Sequence, residues 1–296
     1  MQTPFNRTTM PSTLCNLISG SCINMKLLVL SIFNDECPFM TEMKKENIIY
    51  LNEISRMVSF DYYYITLKDM ENDYEIDETN KVFYVKGANT RVPGLLYKTL
   101  KSIEILINEL NKTYDYILRT NSSTVIDFVA LFNFLKVLDT HENENYLVTS
   151  QICQLNWIDV PAGIIDDKYR GTIFPNGRFI LMRSSTWVDI VANQNKLDFS
   201  IVDDVSLGIY SQHTRMTKIS LINFVEDEVN KIHDLNNLMI KNCVENKDNR
   251  ILDVYCFKFH IYRLILKYRS DNFSTPQFTI YPLLCSIPNV EHVVRL

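Results

Sequence analysis

Two adjacent carboxylates, Asp203-Asp204, open the run DDVSLGIYSQH. A carboxylate within hydrogen-bond reach of a hydroxyl, and partly desolvated, can take its proton as the oxygen attacks an electrophilic carbon. Two such groups divide the labour: one accepts the proton while the other orients a loop or a second substrate. The same pair also suits a plainer role, because acids in the first turn of a helix interact favourably with its dipole. A second polar group closes the stretch TYDYILRTNSST (113–124). There Asn121, Ser122 and Ser123 either hydrogen-bond a ligand or cap the following helix. Arg119, just before them, is a candidate contact for an anion. A third group lies in FHIYRLILKYR (259–269). If that run is extended, His260, Tyr262 and Leu264 face one way and Ile261, Arg263 and Ile265 the other. His260 then reads either as a core histidine or as a ligand contact. Arg263, Lys267 and Arg269 read either as a solvated face or as cations for an anionic group. Asp166-Asp167 resembles Asp203-Asp204 in composition, but its surroundings read as a surface loop.

The elements that must position these residues alternate. KLLVLSIFN (26–34) is a continuous apolar run, as in a buried parallel strand. ENIIYLNEISRMVS (46–59) has helical spacing, FDYYYITL (60–67) and KVFYVKG (81–87) are aromatic and β-branched strands, and LLYKTLKSIEILINEL (95–110) carries a helical apolar stripe. YDYILRT (114–120) is the next strand, 123–138 a helix with Ser123 or Thr124 as cap, and NYLVTSQI (145–152) a strand again. Four or five strand–helix units in a row predict an α/β fold with an open, mostly parallel sheet flanked by helices. Ligands on such sheets bind beyond the carboxyl ends of the strands. That rim carries Ser31 and Asn34, Thr66 and Asp69, Gly87 and Arg91, and Arg119 to Ser123. Beyond residue 150 come loops and short strands, a helix at 184–194, the run 197–213, a polar helical stretch at 224–247 and the run 251–270. Residues 1–25 read as a flexible arm. Without repeats or a long Pro/Gly/Ser linker, 26–296 reads as a single domain with halves at about 26–150 and 151–296.

Composition removes several classes. The 296 residues carry a net charge of −5, which gives no general attraction for nucleic acid. Hydrophobic residues at 46% against 22% charged favour a packed core over disorder. Seven single cysteines without a C-x-x-C pair read as reduced thiols, which predicts a cytoplasmic setting and no zinc. No run approaches the ~20 apolar residues of a membrane span. The first strand is followed by NDECPFM, with neither G-x-G-x-x-G nor a Walker lysine, which disfavours dinucleotide oxidoreductases and P-loop enzymes. Abundant Asn, Ile, Lys, Tyr and Asp suit an AT-rich genome.

Three stretches, in order, resemble the GT-A glycosyltransferases, in pattern the β-1,3-galactosyltransferase/Fringe-like group and related enzymes of large DNA viruses. They are YDYILRTNSS, the run Gly177 to Ser184, and Asp203-Asp204-Val205-Ser206-Leu207-Gly208, within about residues 26–270. The resemblance implies a GT-A-like fold and transfer of a sugar from a nucleotide-diphosphate sugar, UDP-linked, to a hydroxyl of a glycan or protein acceptor, with inversion. It implies Asp204 as base, with Asp203 second. In that family the fourth strand ends in D-x-D acids holding a divalent metal. Here Asn121-Ser122-Ser123 stands in their place, and neutral dipoles hold Mn²⁺ or Mg²⁺ weakly. The expectation is therefore no required metal, with Asn121, Ser122, Ser123, Arg119, His260, Arg263 and Lys267 contacting the nucleotide sugar directly. Ser31, Asn34, Thr66, Asp69 and Arg91 are positional candidates for base and ribose. Trp157 and Gly177 fall on the acceptor side, whereas Trp187, spaced with Val188 and Val191, reads as core. A degenerate GT-A domain that binds sugar nucleotide or glycan without turnover is the alternative. A viral origin would place the protein in host cytoplasm or with the virion.

Overall fold

A computed structural model describes residues 25–35, 38–55, 58–122, 124–126, 128–139, 145–150, 152–220 and 280–282. His260, Arg263, Lys267 and Arg269, and the stretches 224–247 and 251–270, lie outside these residues.

The expected sheet is present. The first strand, β1 (Leu27–Ile32), is buried on both faces: Leu27 and Val29 join one apolar cluster, Leu28 and Leu30 the other. A continuous apolar strand needs that double cover, and helices supply it. Helix α1 (Pro38–Ile54) follows, opened by a proline, a residue suited to the first helical turn. The chain continues through β2 (Phe60–Lys68), β3 (Tyr74–Asp77), β4 (Val82–Lys86) and α2 (Gly94–Glu104), the last prolonged by a π turn at Ile105–Glu109. Then come β5 (Tyr116–Asn121), β6 (Thr124–Ile126), α3 (Phe128–Asp139), β7 (Tyr146–Thr149), β8 (Ile152–Gln154), β9 (Ile173–Pro175), β10 (Phe179–Arg183), α4 (Ser184–Ala192), α5 (Asp203–His213), β11 (Thr217–Ser220) and β12 (Ile280–Pro282).

Eight strands form one sheet in the order β11-β7-β10-β5-β1-β2-β4-β3. Only β3 and β10 run against the rest. From β1 the chain builds outward through β2 and β4, then returns to pair β5 on the other flank of β1. The strand order therefore reverses between β1 and β5, which makes the carboxyl ends of these two strands the crevice where such sheets take ligands. The fold class read from the sequence is observed: an open, mostly parallel sheet flanked by helices.

Three element boundaries differ from expectation. The helix placed at 123–138 starts at Phe128, because Thr124-Val125-Ile126 pairs as β6 with Ile280–Pro282. Asn121 therefore ends a strand and Ser122 occupies a turn; neither caps a helix. The strand placed at 145–152 divides into β7 in the main sheet and β8, which pairs β9. The helix placed at 46–59 occupies Pro38–Ile54.

Helix α5 packs on β9 through Gly208. A Cβ there would lie 2.4 Å from Phe174 Cβ and 2.9 Å from the Ile173 carbonyl oxygen. Gly208→Ala is expected to destabilise the fold by about 1–3 kcal/mol, because backbone and a buried ring must yield. Chemical denaturation measures it, and a variant as stable as the parent would contradict this packing.

Candidate functional site

The three stretches singled out in the sequence meet at the carboxyl end of β5. Register explains two of them: β10 runs antiparallel to β5 with Phe179 opposite Thr120, so the residues before β10 lie beside those that end β5. The loop is pinned there. Thr120 Oγ1 donates to the Arg178 carbonyl at 2.7 Å, Arg178 N–H donates to Asn176 Oδ1 at 3.1 Å, and Thr149 Oγ1 donates to the Asn176 carbonyl at 3.4 Å. The third stretch arrives as the first turn of α5. Gly177 N–H donates to Asp204 Oδ2 at 3.2 Å, and Val205 N–H donates to Asp204 Oδ1 at 2.9 Å. Both carboxylate oxygens thus have a backbone donor.

Asp203 turns the other way. Its carboxylate contacts Arg119 Nη2 at 2.5 Å, and both side chains are only 2% exposed. The approach is an ion pair rather than an aligned hydrogen bond, since Asp203 Oδ2 finds no donor with hydrogen-bond geometry. Arg119 Nη1 donates to Asn121 Oδ1 at 3.0 Å. The labour is divided as two adjacent acids permit: Asp203 neutralises a buried guanidinium, and Asp204 is left beside the crevice, half-buried. Burial, then the negative charge of Asp203, pushes the Asp204 carboxyl up to about 7, against the opposing pull of Arg119 and the two N–H donors. A carboxyl near neutrality is suited to proton transfer.

Gly177 is required by close approach. A Cβ there would lie 2.9 Å from Asp204 Oδ2 and 3.3 Å from Arg119 Nη1. Gly177→Ala is expected to displace the Asp204 carboxylate and lower turnover about tenfold or more, with a smaller effect on stability. Steady-state kinetics beside a melting curve would check it; unchanged turnover would detach Gly177 from the site.

The remaining candidates separate. Asn34 accepts from Asn89 Nδ2 at 2.9 Å, on the rim beyond β1. Arg91, exposed, pairs with Asp159 at 3.2 Å and ties the loop after β4 to the loop before β9. Asp69 is exposed past the end of β2. Ser31 and Thr66 correct the positional reading: both side chains are fully enclosed, Ser31 among Tyr62, Tyr64 and Asn47, so neither lines the open rim. Ser122 is buried at the strand end with no partner for its hydroxyl, and Ser123 lies outside the described residues. Trp157 is 44% exposed and meets Phe174 edge to face at 6.3 Å, so the unit that carries Asp204 also carries this indole. Trp187 is core, its Nε1–H donating to the Ile117 carbonyl at 3.0 Å. Asp166 caps Lys168 N–H and Asp167 pairs with Arg170 on the surface, a local role.

Sequence reasoning missed two groups. Cys153 lies close enough to Asp204 for that charge, after burial, to raise its thiol. Lys98 is buried in α2, its Nζ donating to the Phe33 carbonyl at 3.0 Å. A signal for Lys98 was present: Gly94 and Ser102, four residues to either side, leave room on the same helical face.

The metal implied by the D-x-D resemblance does not fit this donor set. Asn121 Oδ1 is engaged by Arg119, and the Asp203 carboxylate is paired with the same guanidinium. Among the described residues no group of three or more His, Cys, Asp or Glu side chains converges as a metal site. No helix among them is long and apolar enough to cross a membrane.

No family model and no curated protein matches the chain. Among solved structures, it is similar to a glycosyltransferase involved in glycosylation of the major capsid of PBCV-1, at 9% identity and TM-score 0.39, over 68% of this chain and 84% of that one. It is also similar to the 4-diphosphocytidyl-2C-methyl-D-erythritol synthase of Anaerococcus prevotii (13%, TM-score 0.34, 67% and 86%) and to S. aureus TarS (10%, TM-score 0.35, 84% and 74%).

Proposed function

We propose that the protein is an inverting glycosyltransferase that moves a sugar from a nucleotide-diphosphate sugar, UDP-linked, to a hydroxyl of a glycan or protein acceptor. The single observation that carries the reading is the convergence of Asp204, Gly177, Arg119 and Asn121 at the end of β5, beside the crevice where strand order reverses. Asp204 takes the acceptor proton as the acceptor oxygen bonds the anomeric carbon. The bond from that carbon to the diphosphate breaks, and the nucleoside diphosphate leaves with the electron pair. Asp203 keeps Arg119 in place, and Trp157 offers an aromatic face to the acceptor. No metal is required.

A second reading is favoured by one observation: Asn121 and Ser123 are neutral at the two positions where the D-x-D motif carries acids. In that reading the domain binds a nucleotide sugar or glycan without turnover. Incubation with a panel of UDP, GDP, CMP and TDP sugars, with and without EDTA, separates the two. Nucleotide release that survives EDTA and disappears in Asp204→Asn supports the transferase. Binding to the panel without release supports the second reading, and neither binding nor release sinks both.

A further inference from the structure

Lys98 is 1% exposed, and both of its described contacts are neutral: the Phe33 carbonyl at 3.0 Å and Asn89 Oδ1 at 3.5 Å. Among the described residues no carboxylate forms an ion pair with it. A buried ammonium without a counter-charge is costly, so such a group either loses its proton or awaits an anion. Its position is informative. Phe33 follows Ile32, which lies directly opposite Asn121 across the β1–β5 seam, and Ser122 N–H donates to the Ile32 carbonyl at 3.1 Å. Phe33 N–H donates to the Ile65 carbonyl of β2 at 3.0 Å, so Lys98 Nζ lies at the carboxyl end of β1, near enough to the β5 side to feel the charges of Arg119 and Asp203. Ile117 belongs to the apolar cluster that includes Leu100 and Ile103 of α2, and Arg119, two residues further along β5, faces the same side. Two cations therefore share the crevice face. Arg119 is neutralised by Asp203; among the described residues no carboxylate does the same for Lys98.

We propose that Lys98, beside Arg119, forms an anion site for the diphosphate of the donor, holding with protein cations what the family holds with a metal. This deepens the transferase reading and rests on it for the identity of the anion. Lys98 Nζ donates to a phosphate oxygen and compensates the charge that develops on the leaving diphosphate. Burial, and next the Arg119 charge, lowers the Lys98 ammonium to about 8; Asp203 and Asp35 oppose that shift. An arriving anion adds to their side. Binding above pH 8 must therefore take up a proton, and affinity must fall as pH rises further.

The test is calorimetric titration of the full chain with inorganic pyrophosphate in EDTA, at pH 7 and 9 and in buffers of different ionisation enthalpy. The expected results are binding by the wild type, proton uptake at pH 9, and at least tenfold weaker binding by Lys98→Met. The unliganded melting temperature of that variant should equal or exceed the parent's. Pyrophosphate itself titrates in this range, so the lysine's proton is read as the excess uptake of the wild type over Lys98→Arg, which should bind and which decides the matter if the Met variant fails to fold. Equal affinity of wild type and Lys98→Met, no binding in EDTA, or no excess proton uptake over Lys98→Arg overturns the inference. Binding of pyrophosphate that depends on Lys98, with no nucleotide released from any nucleotide sugar, leaves the anion site standing and removes the transferase.

Discussion

Asp204→Asn is expected to lower sugar transfer by about 10²- to 10⁴-fold, the usual contribution of a positioned base, while making the folded chain more stable at and above neutral pH. The two effects share one cause. The carboxyl titrates near 3.8 in the unfolded chain and near 7 in the fold. Below about pH 4 it is protonated in both states and imposes no penalty. Between these values the folded state holds a proton that the unfolded state does not, so stability falls as pH rises. Above pH 7 the full penalty of a charged, crowded carboxylate next to Asp203 is present, on the order of a few kcal/mol. Asparagine keeps both backbone N–H partners of the carboxylate oxygens only in part, since its amide offers one acceptor, but it removes the charge. Urea denaturation at pH 4.5 and pH 8 should show a clear stability loss in the parent and a flat response in the variant. The parent's kcat/KM should rise with pH through about 7. Retained transfer by Asp204→Asn would remove it as base, whatever the denaturation curves show.

The second large effect concerns the pair behind that base. Arg119→Met leaves Asp203 charged, buried and alone, which should cost about 3–5 kcal/mol. Asp203→Leu should do comparable harm from the other side. The double variant removes both charges at once and should recover most of the loss, so a double-mutant cycle should give a coupling of several kcal/mol in this buried site. Additive single effects would show that the contact holds nothing. A milder variant, Asp203→Asn, links the pair to catalysis. Loss of the Asp203 charge removes the second cause of the raised Asp204 pKa, so the alkaline rise in kcat/KM should move to lower pH.

Much of this site was legible before any coordinates. The burial of LLVLSI on both faces follows from an unbroken apolar run, which a half-solvated strand would not carry. Asp203-Asp204 at the first turn of a helix, and Gly208 one turn on, are local facts of residue type and spacing. That TYDYILRTNSST ends at a ligand rim follows from the expectation that strands precede helices in one direction around a sheet. Boundaries were less legible. Thr124-Val125-Ile126 read as the start of a helix because its strand partner lies at Ile280–Pro282, beyond the range of any periodicity. Ser31 and Thr66 were placed on the rim by position along their strands, but alternation turns both side chains inward, and only packing with Tyr62, Tyr64 and Asn47 shows what encloses Ser31.

By itself, then, the sequence determined the class of fold, the residue types available for proton transfer, and the absence of an acidic D-x-D motif. These are properties of periodicity and composition, which are local. Tertiary structure alone decided which of two neighbouring acids is free. Asp203 and Asp204 are the same chemical group one residue apart, and only the arrival of Arg119 from β5 and of Gly177 before β10 makes one a counter-ion and the other a crowded carboxyl near neutrality. It also decided that Lys98, an ordinary helix residue in the sequence, is a buried charge at the carboxyl end of β1. Desolvation and long-range pairing set both outcomes, and each depends on partners that no stretch of contiguous residues contains.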